Sequence, residues 1–281
     1  MMVEFRAVLL RPVGPFREIP RADTLFGAIA NAVSTLDGTG AVEELVMAFK
    51  NGARISSAFP YLGDTFYLPK PLTAELMDFS DPAKAKKIKR ARYLDLKNFE
   101  KALKLEPFEV PDVEPYTLID VPKVSLDRVT QDSDLYFWEE IRFKDGAGLY
   151  FLYKGPDSVF KEFIEPAVRF LSDTGIGGKA TWGSGLFEPS FGRVKINAPQ
   201  SPYAVTLSNA LPSKRPVLWN LLKKGGWSFG RRKPKMRFIS EGSVVKDDPG
   251  RFERLDLALP FPVYVYGLTF QVPALLPEGL E

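Results

Sequence analysis

Gly175-Ile-Gly-Gly-Lys-Ala-Thr-Trp-Gly-Ser-Gly-Leu-Phe187 is the stretch on which the reading of this chain turns. Gly175, Gly177, Gly178, Gly183 and Gly185 fall within eleven residues. That density asks for backbone at positive φ, or for very close approach by a ligand. Between the glycines stand a cation, two hydroxyls and an indole: Lys179, Thr181, Ser184 and Trp182. Successive free N–H groups cradle phosphates, and an aromatic ring stacks on a base. Gly175 to Ala180 also fits the dinucleotide fingerprint G-x-G-x-x-A, but that motif needs a strand before it and a helix after it. Here a helical stretch precedes and the β-prone Leu186-Phe187 follows. A Walker A loop ending at Gly178-Lys179 would need glycine at Asp173 and a hydroxyl at Ala180. A glycine-rich turn with no ligand is the plain alternative to an RNA-binding loop.

Outward from the loop, hydrophobic spacing predicts the elements. Met2–Leu10 reads as a strand. A helix entered and N-capped near Asp23 carries Leu25, Phe26, Ile29, Val33 and Leu36 on one face, and a second helix runs about Ala41–Asn51. Arg54–Pro71 reads as a strand pair turning at Gly63-Asp64, and Lys84–Leu103 as one helix. Phe108–Asp134 is Pro-rich and extended, an arm or hairpin. Leu135–Phe143 and Gly148–Tyr153 are strands, and Val159–Leu171 is a helix kinked at Pro166. After Ala198 the pattern restarts: strand Tyr203–Asn209, helix Val217–Lys224, basic strand Trp227–Gly242, strand Tyr264–Val272. The order predicts an α+β fold of two ferredoxin-like (RRM-like) units, residues 1–195 and 196–281.

The chain has 281 residues, 45% hydrophobic and 26% charged, with neither cysteine nor histidine. No disulfide framework or thiolate metal site is available, and the usual general base and commonest metal ligand are missing. No window is apolar enough for a membrane helix, and the N-terminus lacks a signal-peptide pattern, so a cytoplasmic location is expected. The net charge of +3 conceals an asymmetry: Lys84–Lys104 holds nine basic residues against Asp95 and Glu100. Within it, Lys84, Lys86, Lys87, Lys89 and Arg90 offer either a solvated helix face or a surface for a polyanion. A second cluster holds Arg231, Arg232, Lys233, Lys235 and Arg237 beside Trp227 and Phe229. On a regular strand, Arg231, Lys233, Lys235 and Arg237 share one face, and a like-charged stripe is costly without an anion. The carboxylate pairs Asp132/Asp134, Glu139/Glu140 and Asp247/Asp248 read as solvated rather than metal-binding. Trp138 and Leu149-Tyr-Phe-Leu read as core.

The glycine loop resembles the signature that closes the first ferredoxin-like unit of RAMP-superfamily CRISPR proteins. Arg21-Ala-Asp-Thr-Leu-Phe-Gly-Ala, Ser56-Ser-Ala-Phe-Pro-Tyr with Tyr67-Leu-Pro-Lys-Pro, Arg128-Val-Thr, Glu241-Gly-Ser and Val263-Tyr-Val-Tyr-Gly are similar to segments of one family within it. That family forms the fourth subunit of the type III-A Csm complex. The resemblance implies two ferredoxin-like folds, with a protruding thumb around Lys123–Asp134. It implies that the glycine loop and Arg128 bind the repeat-derived 5′ tag of crRNA. It also implies docking onto the large polymerase/nuclease-like subunit and a backbone RAMP subunit. The expectation is a non-catalytic RNA-binding subunit in antiviral defence, without cofactor, metal or membrane contact. Because related backbone subunits cut RNA with an aspartate, a RAMP-type endoribonuclease is the alternative.

Overall fold

Gly148-Leu-Tyr-Phe-Leu-Tyr153 is apolar without interruption, the mark of a strand buried on both faces. In the computed structural model, which describes residues 1–77, 81–127, 132–179 and 182–280, that strand lies inside the main sheet. In chain order the elements begin with β1 (Met2–Pro12), α1 (Ala22–Asp37), α2 (Thr39–Lys50), β2 (Arg54–Ile55), β3 (Phe59–Leu62) and β4 (Thr65–Pro69). A 3₁₀ turn (Leu72–Glu75) then leads to α3 (Pro82–Arg90), β5 (Tyr93–Asp95) and α4 (Leu96–Leu103). The hairpin β6 (Tyr116–Leu126) and β7 (Ser133–Phe143) follows, then β8 (Ala147–Lys154). Next, α5 (Asp157–Val159) runs through a π-helical turn (Phe160–Ile164) into α6 (Glu165–Thr174), and the chain continues into β9 (Phe187–Asn197).

The main sheet is ordered β5-β4-β3-β8-β1-β9, every pair antiparallel, with β2 also paired to β8. Alternation sorts the side chains into two cores. Val8, Leu10, Leu149, Phe151 and Tyr153 pack under α1, α2 and α6. Phe5, Ala7, Tyr150 and Leu152 face α4 and later strands. Tyr150, Phe151 and Leu152 are fully buried, each burial stabilising by about 1.5–3 kcal/mol before entropy is counted.

The later strands are β10 (Tyr203–Thr206), β11 (Leu221–Ser228), β12 (Arg231–Ile239), β13 (Val244–Lys246), β14 (Glu253–Leu255), β15 (Val263–Val265) and β16 (Gln271–Pro273). They form the sheet β13-β10-β16 and the ribbons β11-β12 and β14-β15. These residues complete both cores: Tyr266 and Leu268 enter the first, Val205, Val244 and Phe270 the second. The Tyr266 hydroxyl donates to the Ile55 carbonyl at 3.0 Å and accepts from the Ile55 N–H at 3.1 Å. The result is a mixed α/β fold dominated by antiparallel strands.

Four expectations change. The helix expected over Lys84–Leu103 is two helices separated by β5, because the Asp95 carboxylate accepts from the Asn98 N–H at 3.0 Å and starts α4 afresh. The irregularity expected at Pro166 is the π turn just before it, since proline supplies no N–H to the preceding turn. The helix expected over Val217–Lys224 is instead the approach to β11, whose residues alternate exposed and half-buried. Among the described residues no α-helix follows Thr174. Finally, the strand expected over Tyr264–Val272 is split into β15 and β16 around Gly267. A Cβ there would lie 2.6 Å from the Arg251 carbonyl oxygen.

Candidate nucleic-acid interface

The glycine loop leaves α6 through Gly175, whose φ of +84° ends the helix while its N–H donates to the Leu171 carbonyl at 2.8 Å. Gly177, Gly183 and Gly185 also have positive φ, and so does Lys179 at +66°. The glycines divide by role. Gly185 sits against backbone: a Cβ there would lie 2.1 Å from the Ile176 carbonyl oxygen. Its N–H donates to Pro15 and its carbonyl accepts from Ile176, tying the loop to the segment after β1. Gly178 lies outside the left-handed region, and at Gly177, Gly178 and Gly183 an added Cβ meets nothing within 4 Å. The outer half of the loop is open, and the inner half is a turn. Ser184 is buried in that turn, its N–H pointing to the Lys179 carbonyl at 3.4 Å. Thr181 and Arg128 lie outside the described residues.

Trp182 projects from this loop 57% exposed, and its ring lies 5.1 Å from that of Trp138 on β7. Trp138 reads as core from sequence and is indeed buried, yet much of its cover is cationic. The Arg17 guanidinium lies 4.3 Å from the indole centroid, Lys123 Nζ 4.8 Å and Lys179 Nζ 5.8 Å. Lys179 also lies 4.4 Å over Trp182. The Trp138 Nε1–H donates to the buried Glu140 at 2.8 Å, so that carboxylate serves the ring. Among the described residues none of the three cations is ion-paired, and one guanidinium nitrogen of Arg17 is buried without a partner. The exposed Trp182 ring, backed by the buried Trp138 and flanked by three cations without a carboxylate partner among the described residues, suits an unstacked base and its phosphates. The sequence points to Lys179 and Trp182; Arg17 gives no signal, since only the fold carries it to β7.

The β11–β12 ribbon overturns the four-cation stripe. Lys224 pairs with Met236 and Gly226 with Lys233, so two steps on β11 face three on β12. The extra residue is a bulge beside Pro234, which has no N–H for the ladder. It reverses alternation. Arg231 and Lys233 fall on the face of Lys224, Met236 and Phe238. Lys235 and Arg237 fall on the outer face with Arg232, Lys223 and the 69% exposed Trp227. Lys233 is half-buried, and burial lowers its ammonium pKa, helped by Lys224 and opposed by Asp23. The outer face is therefore a basic and aromatic ribbon built partly from residues outside the expected stripe.

On α3, Lys86, Lys87, Lys89 and Arg90 are exposed and Lys84 half-buried, while Ile88 anchors the helix in the core. Lys87 pairs with Asp112. The helix is both a solvated face and one wall of a cavity described below.

Asp23 lies in the first turn of α1; the cap position belongs to Arg21. Its carboxylate accepts from Lys224 Nζ at 2.6 Å and from the Asn209 amide at 3.2 Å. Lys224 donates to the Thr24 hydroxyl as well. No cluster of three metal-ligating side chains occurs among the described residues, and no helix in them is long and apolar enough to cross a membrane.

An antiparallel sheet flanked by helices, with a glycine loop closing onto it and basic ribbons around it, defines a class of protein. A RAMP superfamily model matches residues 19–188, and the chain belongs to that superfamily. Within it the chain belongs to the Csm4 family. It is 64% identical, over the full length of both chains, to a Thermococcus onnurineus protein described as "CRISPR system Cms protein Csm4". In a crystal structure of a Csm1-Csm4 cassette in complex with cA4, a chain 56% identical matches with a TM-score of 0.86. That match covers 99% of this chain and 100% of that one. A chain from a Csm3-Csm4 subcomplex of the type III-A CRISPR-Cas interference complex shares the fold at 19% identity, with a TM-score of 0.67. It covers 95% of this chain and 99% of its own.

Proposed function

We propose that this chain is a non-catalytic subunit of a type III-A CRISPR effector that holds the 5′ repeat-derived tag of crRNA. The observation that carries the proposal is the Trp138–Trp182 pair ringed by Arg17, Lys123 and Lys179. Stacking tolerates any base, and the cations meet the phosphates on either side. The order β9-β1-β8-β3 around α1 and α6 supports a first ferredoxin-like unit. The β6–β7 ribbon, whose far end carries exposed Val124, Leu126 and Leu135, supports a thumb. The relative found in a Csm1-Csm4 cassette supports docking onto a large polymerase/nuclease-like subunit. The shared fold of the Csm3-Csm4 chain is compatible with a backbone RAMP neighbour.

The endoribonuclease alternative is disfavoured by the chemistry at Asp23. One oxygen of that carboxylate is engaged by both Lys224 and Asn209, a structural role that ties α1 to β11. The test is RNA binding by the Trp182→Ala variant against labelled repeat-derived RNA, with Mg²⁺ present and products resolved. The expected result is intact RNA and affinity weakened by about 1–3 kcal/mol, the worth of one stacked base. Unchanged affinity refutes the site, and cleavage that disappears in Asp23→Ala refutes the non-catalytic reading.

A further inference from the structure

A cavity of about 300 Å³ lies away from the glycine loop, where the C-terminal end of α3 and the start of β5 meet the strand-flanking residues Asn220, Ser240 and Glu241. Phe59 and Tyr93, rings 6.4 Å apart, give it an aromatic side. Ser57 and Glu241 give it a polar edge. The Glu241 carboxylate binds Arg21 and accepts from the Ser57 hydroxyl, yet each oxygen keeps a lone pair for a further donor. Lys89, Arg90 and Arg92 line it too, and among the described residues none of them is ion-paired with a carboxylate. Arg92 lies 5.2 Å over the Tyr93 ring.

One feature of helix electrostatics would oppose an anion here, because the exposed carbonyls at a helix C-terminus carry partial negative charge. That charge is answered from inside. Lys70, 8% exposed, donates to the carbonyls of Ile88 at 2.8 Å and Lys89 at 3.2 Å, while its charge is shared with Glu75. With α3's end neutralised, the cations at the cavity's edge remain to attract a phosphate. The volume falls at the small end of ligand pockets, enough for one nucleotide and too small for a base pair.

We infer that this cavity takes a single nucleotide, its base beside Phe59 and Tyr93 and its phosphate on Lys89, Arg90 and Arg92. The nucleotide is either free or the end or flipped-out unit of an RNA strand. The assay is calorimetric titration of the full chain with each of the four ribonucleoside 5′-monophosphates, repeated in the presence of a short single-stranded RNA. Asn220→Trp, at an exposed position on the cavity wall, fills the space. Lys89→Ala with Arg90→Ala removes two exposed cations without touching the core. At least one mononucleotide should bind the wild type, about tenfold more weakly to the double variant, and not to Asn220→Trp. Competition by the RNA assigns the site to a nucleotide of a strand; additive binding assigns it to a free one. Failure of all four mononucleotides to bind, or binding that Asn220→Trp leaves unchanged, overturns the inference. The guide-RNA reading stands on Trp182→Ala and this one on Asn220→Trp, so either can fall alone.

Discussion

Gly178 and Gly185 lie in one loop and predict opposite behaviour. At Gly185, φ is +78° and a Cβ would sit 2.1 Å from the Ile176 carbonyl oxygen and 2.9 Å from its nitrogen. Alanine there costs about 1–2 kcal/mol for left-handed backbone. Displacing Ile176 and its hydrogen bond to Gly185 adds about 1–3 kcal/mol, the usual range for overpacking. At about 2–4 °C per kcal/mol for a chain of this order of size, Gly185→Ala lowers the melting midpoint by roughly 10 °C. At Gly178 neither cost arises, because φ is not left-handed and a Cβ meets nothing within 4 Å. Gly178→Val should therefore leave the midpoint within about 1 °C. If the loop cradles RNA as proposed, it should weaken RNA binding about tenfold or more, equivalent to about 1.4 kcal/mol, because the added methyls would then stand in the path of the phosphates. The assay pairs thermal unfolding with fluorescence anisotropy on labelled RNA, each on the same preparation. Wild-type affinity in Gly178→Val would make the open half of the loop a turn without a ligand and would refute the cradle.

Three further outcomes are expected. Replacing Arg232, Lys235 and Arg237 with alanine should reduce the slope of log K against log salt by about 2, at about 0.7 per single-strand phosphate contact, whereas Arg231→Ala with Lys233→Ala should change it less. Lys224→Met leaves the 8% exposed Asp23 carboxylate without its cation and should cost about 3 kcal/mol in a denaturant titration; adding Asp23→Asn should recover part of it. Burial pushes the hydroxyls of Tyr93, Tyr150 and Tyr266 upward and that of Tyr153 from 10 to about 12. The folded state thus keeps protons that the unfolded chain loses above pH 10. Stability should fall as pH rises from about 10 towards 12, and tyrosinate absorbance should rise late and together with unfolding.

The parts legible in the sequence are those where one local signal suffices. The run Gly148–Tyr153 marks a doubly buried strand, and glycine spacing marks the loop. Over Lys84–Leu103 the helical character is legible but its interruption by β5 is not, because the break rests on the Asp95 cap that starts α4. The parts not legible depend on partners distant in sequence. Val217–Lys224 has enough apolar residues for a helical pattern, but its hydrogen bonds go to Val244 on β13 and to β12. Arg17 acquires meaning only because the Phe16–Ile141 bridge brings the segment after β1 against β7. Alternation also fails where proline intervenes. Pro234 cannot join the ladder, so the strand bulges and Lys233 parts from Lys235, although their spacing puts them on one face.

The start of α1 joins the first half of the chain to the second and bears on how any Asp23 variant is interpreted. Arg21 pairs with Glu241, the Ala22 N–H donates to Ser57, and Asp23 binds both Asn209 and Lys224. Lys224 belongs to β11, so the carboxylate fixes the root of the ribbon whose outer face carries Trp227, Arg232, Lys235 and Arg237. Losing Asp23 removes the one carboxylate ion-paired with Lys224 among the described residues and leaves it beside the half-buried Lys233, which should loosen the ribbon from the body. If the ribbon's outer face binds RNA as proposed, binding would then weaken without any contact from Asp23, and a complex-level assay would score the loss as lost activity. Only the cleavage step separates the two causes. A catalytic aspartate changes the rate of bond breaking at saturating RNA, whereas a positioning aspartate changes affinity alone. The restoring combination Asp23→Asn with Lys224→Met would recover binding in the second case and could not recover chemistry in the first.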